Sequence, residues 1–212
     1  AFHLGDGYYA TAFHVVRAEI EDKTNQFDVM FLSNTGEDGS AMVVHYVSDN
    51  DVAIMYCDSL RNTPALDCNT DPIEIGEAVT ACGNAFNLGT IISQGICSGF
   101  IMAKDARLDS VFNPFTILYV TDSAINPGSS GGPLCDFDGN VRALNSAILG
   151  PSGGFDGISL HIPIEHAVTS LKQAKDGYAL LPAHRSEHLL HSKDVIRAEA
   201  KIEETETNIV EE

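Results

Sequence analysis

Tryptophan is missing from this chain of 212 residues, basic side chains are few, and no apolar run approaches the length of a membrane span. Each shortage excludes something. Only 12 Lys and Arg stand against 30 Asp and Glu, a formal charge of -18 at pH 7. Such a chain repels phosphate backbones and anionic lipid surfaces, so nucleic acid is not an expected partner and solubility is favoured. A membrane-spanning helix needs about 20 consecutive apolar residues. Without one, and without a basic-then-apolar segment at the amino terminus, neither membrane insertion nor a signal segment is expected.

Cysteine is present in an odd number, Cys57, Cys68, Cys82, Cys97 and Cys135, so the five cannot all pair within the chain. None stands in a Cys-x-x-Cys or Cys/His spacing suited to a metal. Zinc is therefore not expected, and nothing in the sequence calls for any other cofactor. Most of these cysteines lie in strand-like apolar runs such as Val52-Ala53-Ile54-Met55-Tyr56-Cys57, where a thiol behaves as a small hydrophobe. Reduced core thiols, and hence a reducing intracellular or viral setting, are the expectation. A secreted chain with one or two disulfides is the alternative.

What the chain does have, from Tyr8 to Ile164, is a succession of short β-branched and aromatic runs, broken about every ten residues by Gly, Asn, Asp or Pro. Strands are predicted at Phe27 to Ser33, Ala41 to Val47, Val52 to Tyr56, Val79 to Cys82, Thr90 to Phe100, Ile117 to Thr121, Val141 to Ile148 and Ile158 to Ile164. Asn34-Thr35-Gly36, Asp38-Gly39, Asp138-Gly139-Asn140 and Ser152-Gly153-Gly154 carry turn chemistry. This is the rhythm of an all-β barrel or sandwich. Beyond Pro163, Ile164, Ala167, Val168, Leu171 and Ala174 recur at helical spacing and predict one C-terminal helix. Past Pro182 the chain is polar and ends in acidic residues, which reads as a tail.

The stretch richest in chemistry is Asn126-Pro127-Gly128-Ser129-Ser130-Gly131-Gly132-Pro133-Leu134. A nucleophilic serine needs a tight turn that exposes its hydroxyl and two backbone N–H groups aimed where an oxyanion forms. Gly128 and the glycines after Ser130 permit that turn. Gly128, Ser129 and Ser130 are the candidate oxyanion segment, with the N–H groups of Gly128 and Ser130 as donors. An ordinary glycine-rich hairpin is the plainer reading of the same residues. A serine hydroxyl also needs a base. Of eight histidines, His14 closes the apolar run Ala10-Thr11-Ala12-Phe13, where it could face a cleft. Asp51 stands at the mouth of the apolar strand Val52-Ala53-Ile54-Met55. A carboxylate there needs a partner such as an imidazole N–H to offset its desolvation.

In the order His14, Asp51, Ser130, these elements resemble the chymotrypsin-like serine peptidases, and specifically their HtrA/Deg-like branch, over most of residues 4 to 175. Thr121 through Leu134 is similar to that branch's nucleophile segment. Gly76 through Gly89 is similar to the strand and turn opening its second barrel. Leu144 through Ile148, with Gly157 through Ile164, is similar to the strands that line its specificity pocket. The resemblance implies a double six-stranded β-barrel with a C-terminal helix. The first barrel, with His14 and Asp51, would span residues 1–74, the second, with Ser130, 75–176, and the tail 177–212. It implies acyl transfer: His14 takes the proton of Ser130, Ser130 attacks the scissile carbonyl, and Asp51 holds the imidazole tautomer.

Two departures from the family pattern stand out. Position 129 is Ser where digestive relatives have Asp, so activation through an ion pair to a new amino terminus is not expected. The family's opening strand and Gly-x-Gly turn are expected to be missing before the His14 strand, leaving an edge that something must cover. That edge leaves open a homo-oligomer or a place in a larger precursor or assembly, such as a viral polyprotein. No PDZ module is expected from residues 178–212.

The pocket is expected near Ala124, Ile125 and Asn126, walled by Ser146, Ala147 and Ile148, with no carboxylate to meet a basic side chain. The resemblance then implies protein or peptide substrates with a small or aliphatic residue before the scissile bond. Two alternatives remain: His161 lines the pocket and selects Glu or Gln, as in polyprotein-processing relatives, or the chain is a silent protease-like scaffold. His45 and His166 read as surface or helix residues, and His184, His188 and His191 as solvated tail residues too loosely spaced for a metal.

Overall fold

The computed structural model describes residues 1–21, 29–32, 38–108, 111–149 and 156–179. The chain opens with β1 (Phe2–Gly5) and β2 (Tyr8–Ala12), an antiparallel pair joined by Gly5-Asp6-Gly7. All three turn residues have positive φ, at 103°, 55° and 87°, a conformation open to Gly and tolerated by Asp. The edge of β2 that the sequence left open is therefore covered by β1. The opening strand was hidden because its four residues directly abut this left-handed turn.

Helix α1 (Phe13–Glu21) follows, then β3 (Val29–Leu32), β4 (Asp38–Val47) and β5 (Val52–Tyr56). Among the described residues the strands form an antiparallel sheet in the order β1-β2-β5-β4-β3. Sequence reading missed α1 because Val15, Val16 and Ile20 are β-branched. The helical signal lay in Phe13, Val16 and Ile20, at spacing i, i+3, i+7, which pack into one cluster with Val43, Ala53 and Met55. Asp38-Gly39, expected as a turn, lies inside β4 and pairs with Leu32 and Phe31. Gly39 serves close approach: a Cβ there would fall 2.7 Å from Cys57 Sγ and from Leu60 Cδ1.

The second unit is a closed antiparallel barrel, β6 (Ala78–Gly83), β7 (Ile91–Met102), β8 (Ile117–Thr121), β9 (Pro133–Cys135), β10 (Val141–Ile148) and β11 (Ser159–Pro163), in the cyclic order β10-β11-β8-β7-β6-β9. Helix α2 (Ile164–Ala179) closes the described chain. The architecture is the expected all-β one. The turns expected at 34–36 and 152–154, and the tail beyond residue 179, lie outside the described residues. No helix among the described residues is long and apolar enough to cross a membrane.

Both units and α2 share one apolar interior. Ala10, Val52 and Ile54 of the first sheet meet Leu118, Leu144, Leu160 and Ile162 of the barrel and Ala167 and Ala174 of α2. Truncating Leu144, fully buried in this interior, to Ala is expected to cost about 2–5 kcal/mol, read as a lower urea midpoint at unchanged slope.

Candidate active site

Register places the first two site residues. Ala12 at the end of β2 pairs with Val52 at the start of β5, so the residues just beyond each, His14 and Asp51, emerge at one end of the sheet. Asp51 has the left-handed φ of 53° and is 1% exposed. Its carbonyl accepts the N–H of Phe13 at 3.0 Å, and its Oδ1 accepts the N–H of His14 at 2.8 Å. Asp51 thus caps the first turn of α1, where a carboxylate is also favoured by the helix dipole.

The same carboxylate accepts from His14 Nδ1, at 3.0 Å to Oδ1 and 2.8 Å to Oδ2. A carboxylate only accepts, so Nδ1 carries the proton and Nε2 of the neutral ring is left as the basic atom. His14 itself is 37% exposed, so that atom can face a cleft. A third donor, Ser146 Oγ, reaches Asp51 Oδ2 at 2.8 Å. Ser146, expected only as a pocket wall, therefore supports the acid. Sequence gave no sign of this, because the bond crosses between the two units.

Ser146 also meets the serine turn. Ser130 Oγ donates to the Ser146 carbonyl at 3.2 Å, so one residue of β10 touches both the candidate nucleophile and the candidate acid. Ser130 Oγ donates there rather than to His14. The turn approaches the His14 segment closely: a Cβ on Gly131 would collide with Thr11 Oγ1 and lie 2.7 Å from Ala12 N. Only glycine fits there, two to three residues before His14.

The N–H groups of the turn divide their tasks. Ser129 N donates to Asn126 O at 2.8 Å, closing the turn, and Gly131 N donates to Asn145 O at 2.8 Å. Ser129 is thereby removed as an oxyanion donor, because its N–H is already engaged. Pro127 O accepts from Phe86 N at 2.8 Å. Since C=O and N–H point opposite ways across a planar trans peptide, that bond turns Gly128 N–H to the other side. Gly128 and Ser130 remain the candidate donors for an oxyanion.

Of the expected pocket residues, Ile125 is buried in an apolar cluster against which Ile148 packs, and Ala147 packs against the main core. Ala124 is exposed, and its carbonyl accepts from Ser93 Oγ at 2.6 Å. Asn126 is half-buried, with its N–H toward Ser129 Oγ at 3.3 Å. His161 does not line a pocket. It is fully buried, with Nε2 2.8 Å from Thr121 Oγ1 and Nδ1 3.1 Å from Asn145 Oδ1, which leaves neither ring nitrogen for a substrate carboxylate or amide. Burial pushes its pKa down to about 3.

A match to the family model for the trypsin-like peptidase domain covers residues 1–144, and the chain belongs to that family. Within it, the chain is 35% identical over 173 residues to a probable periplasmic serine endoprotease DegP-like of Halomonas elongata, covering 81% of this chain and 33% of that protein. It is 32% identical over 161 residues to Protease Do-like 1, chloroplastic, of Arabidopsis thaliana, covering 75% and 35%. Among solved structures, the HtrA-type protease AlgW with decapeptide superposes with a TM-score of 0.70 at 30% identity, covering 83% of this chain and 50% of that one. The chain spans about a third of the length of these curated relatives.

These relatives overturn the reducing intracellular or viral setting, since their names place them in the periplasm and the chloroplast. The cysteines misled because they carry no information on compartment. All five are free, and desolvation raises the thiols of Cys82 and Cys97, with Cys68 at about 11 and Cys135 at about 12. Burial that raises these four thiols lowers their reactivity in either environment.

His161 also sets a pH response. Its folded pKa near 3 lies below the usual 6.5, so below pH 6.5 the unfolded chain binds a proton that the native one refuses. Its contribution is complete above pH 6.5 and is lost as pH falls toward 3, at about 1.4 kcal/mol per pH unit. Burial lowers His166 as well, which acts in the same direction. Unfolding free energy measured in urea is expected to decline over this window, and His161→Asn to reduce the slope by one proton.

Proposed function

We propose that this chain is a serine endopeptidase that cleaves protein or peptide substrates through His14, Asp51 and Ser130 by way of an acyl-enzyme. The single observation that carries this is the shared anchoring of acid and nucleophile on Ser146, whose Oγ lies 2.8 Å from Asp51 Oδ2 and whose carbonyl lies 3.2 Å from Ser130 Oγ. Membership of the trypsin-like peptidase family supports the reading, as do relatives named serine endoproteases. In the proposed reaction, Ser130 Oγ swings from the Ser146 carbonyl to His14 Nε2, which takes its proton as Oγ attacks the scissile carbonyl. The N–H groups of Gly128 and Ser130 receive the oxyanion, each such donor being worth about 3 kcal/mol in the transition state. Asp51 accepts from Nδ1 throughout and stabilises the imidazolium that forms. The His14 imidazolium then gives its proton to the leaving amine as the scissile C–N bond breaks, and water deprotonated by the same base attacks the acyl-enzyme, freeing the acid product and returning the proton to Ser130 Oγ.

Ile125 and Ile148, joined in one apolar cluster, support a small or aliphatic residue before the scissile bond. The periplasmic and chloroplastic relatives support an extracytoplasmic place of work.

A fluorophosphonate is expected to add one adduct, on Ser130, as seen by intact mass. Ser130→Ala should abolish it, and proteolysis surviving in that variant would show the nucleophile to be another residue. Asp51→Asn is expected to slow labelling by about 10³- to 10⁴-fold, because an amide can no longer fix the tautomer with Nδ1 protonated.

A further inference from the structure

Behind the serine turn, on the side away from the cleft, lies a buried chain of polar side chains that the proposed reaction does not use. Asn145 of β10 is fully buried. Its Nδ2 reaches Cys82 O at 2.7 Å and Ser129 O at 3.4 Å. Its backbone brackets the same turn, with O accepting from Gly131 N at 2.8 Å and N donating to Gly132 O at 2.9 Å. One residue thus holds the turn at positions 129, 131 and 132, on both sides of Ser130, and ties it to the end of β6. Gly83 and Gly132 permit the approach: a Cβ on Gly83 would lie 2.6 Å from Ser129 Cα, and one on Gly132 would collide with Cys82 O.

The direction of every bond in this chain is fixed. Cys82 O and Ser129 O are carbonyls and only accept, so the amide end that faces them must be NH2. Asn145 Oδ1 then faces His161 Nδ1, 3.1 Å away, and Nδ1 must carry the proton. The ring is neutral at that depth, so Nε2 is bare and accepts a hydrogen bond from the Thr121 hydroxyl at 2.8 Å. Thr121, His161 and Asn145 make one donor-to-acceptor run across β8, β11 and β10, ending on the turn. Reversing any member leaves two acceptors or two donors facing each other in a dry interior, which costs more than the bond contributes.

We propose that His161 is a positioning residue for catalysis: through Nδ1–H it fixes the amide of Asn145, which holds the 129–132 turn so that Ser130 and the oxyanion donors are set. The inference rests on the reading of Ser130 as the nucleophile. His161 touches no substrate. Its tie to the reaction is the Asn145 amide, which lies one hydrogen bond from the Ser129–Ser130 peptide.

The test is the second-order rate of Ser130 labelling by a fluorophosphonate in the full chain, measured beside the thermal midpoint. His161→Asn places an amide N–H near the position of Nδ1 and keeps the donor to Asn145. His161→Gln places its polar end near Nε2 and loses that donor. Both variants lose one hydrogen bond of the network, so a merely structural role predicts equal losses of rate and midpoint. The expected result is a Gln variant slowed about 10- to 100-fold and an Asn variant within about threefold of the parent, at similar midpoints. A Gln variant as fast as the parent, or Asn and Gln slowed alike, overturns the proposal. If the Gln variant does not fold, His161→Ala decides: it removes the donor to Asn145 Oδ1 without placing another polar group there, so labelling slowed well beyond the Asn variant supports the role and labelling as fast as the parent overturns it. Labelling that persists in Ser130→Ala would instead strike the nucleophile assignment, which separates the two failures.

Discussion

A carboxylate sealed from water needs donors, and the arrangement of this site follows from how Asp51 obtains them. With 1% of its surface exposed, it is served by the His14 backbone, the His14 ring and the Ser146 hydroxyl. The first of these is also the N-terminal cap of α1, so helix and imidazole are oriented by one anion. The third comes from the other β unit, which makes the acid's environment complete only when both units are docked. Asn113 N on Asp49 O and Thr116 Oγ1 on Asn50 Oδ1, at 2.6 and 3.2 Å, fasten the neighbouring turn across the same boundary.

The serine turn shows a second constraint, of space rather than charge. Gly83, Gly128, Gly131 and Gly132 each stand where a Cβ would meet backbone or a neighbouring side chain. Close packing of the turn against Thr11, Cys82, Gly83 and Asn84 leaves few positions it can occupy, and its hydrogen bonds to Asn145 and Phe86 select among them. A site held within about half an ångström requires this kind of supporting layer. Here it is built from backbone carbonyls and N–H groups more than from charged side chains.

The large negative charge plays no visible part in this geometry. The one buried cationic side chain among the described residues, Arg142, binds Glu77 and Asp136, at 2.7 and 3.2 Å, and the Asp71 carbonyl. Most of the other acids among the described residues are exposed, where negative charge repels polyanions. Shape and hydrogen bonding, not the overall field, organise the cleft.

Strand periodicity, the glycine-rich serine segment and the order His14, Asp51, Ser130 could be read directly from the chain, because each is a local pattern of residue types. β5, β8 and β10 begin and end where alternation and turn residues placed them. Helix α1 was not legible, since β-branched residues hid its 13-16-20 spacing and its cap comes from a residue 37 positions away. Nor were the burial of His161 or the double contact of Ser146, because a hydrogen-bond partner 16 or 95 residues distant leaves no mark on local composition. Local chemistry determined which side chains could react. Only tertiary packing decided which of them meet, since a bond between distant residues exists only once both strands have docked.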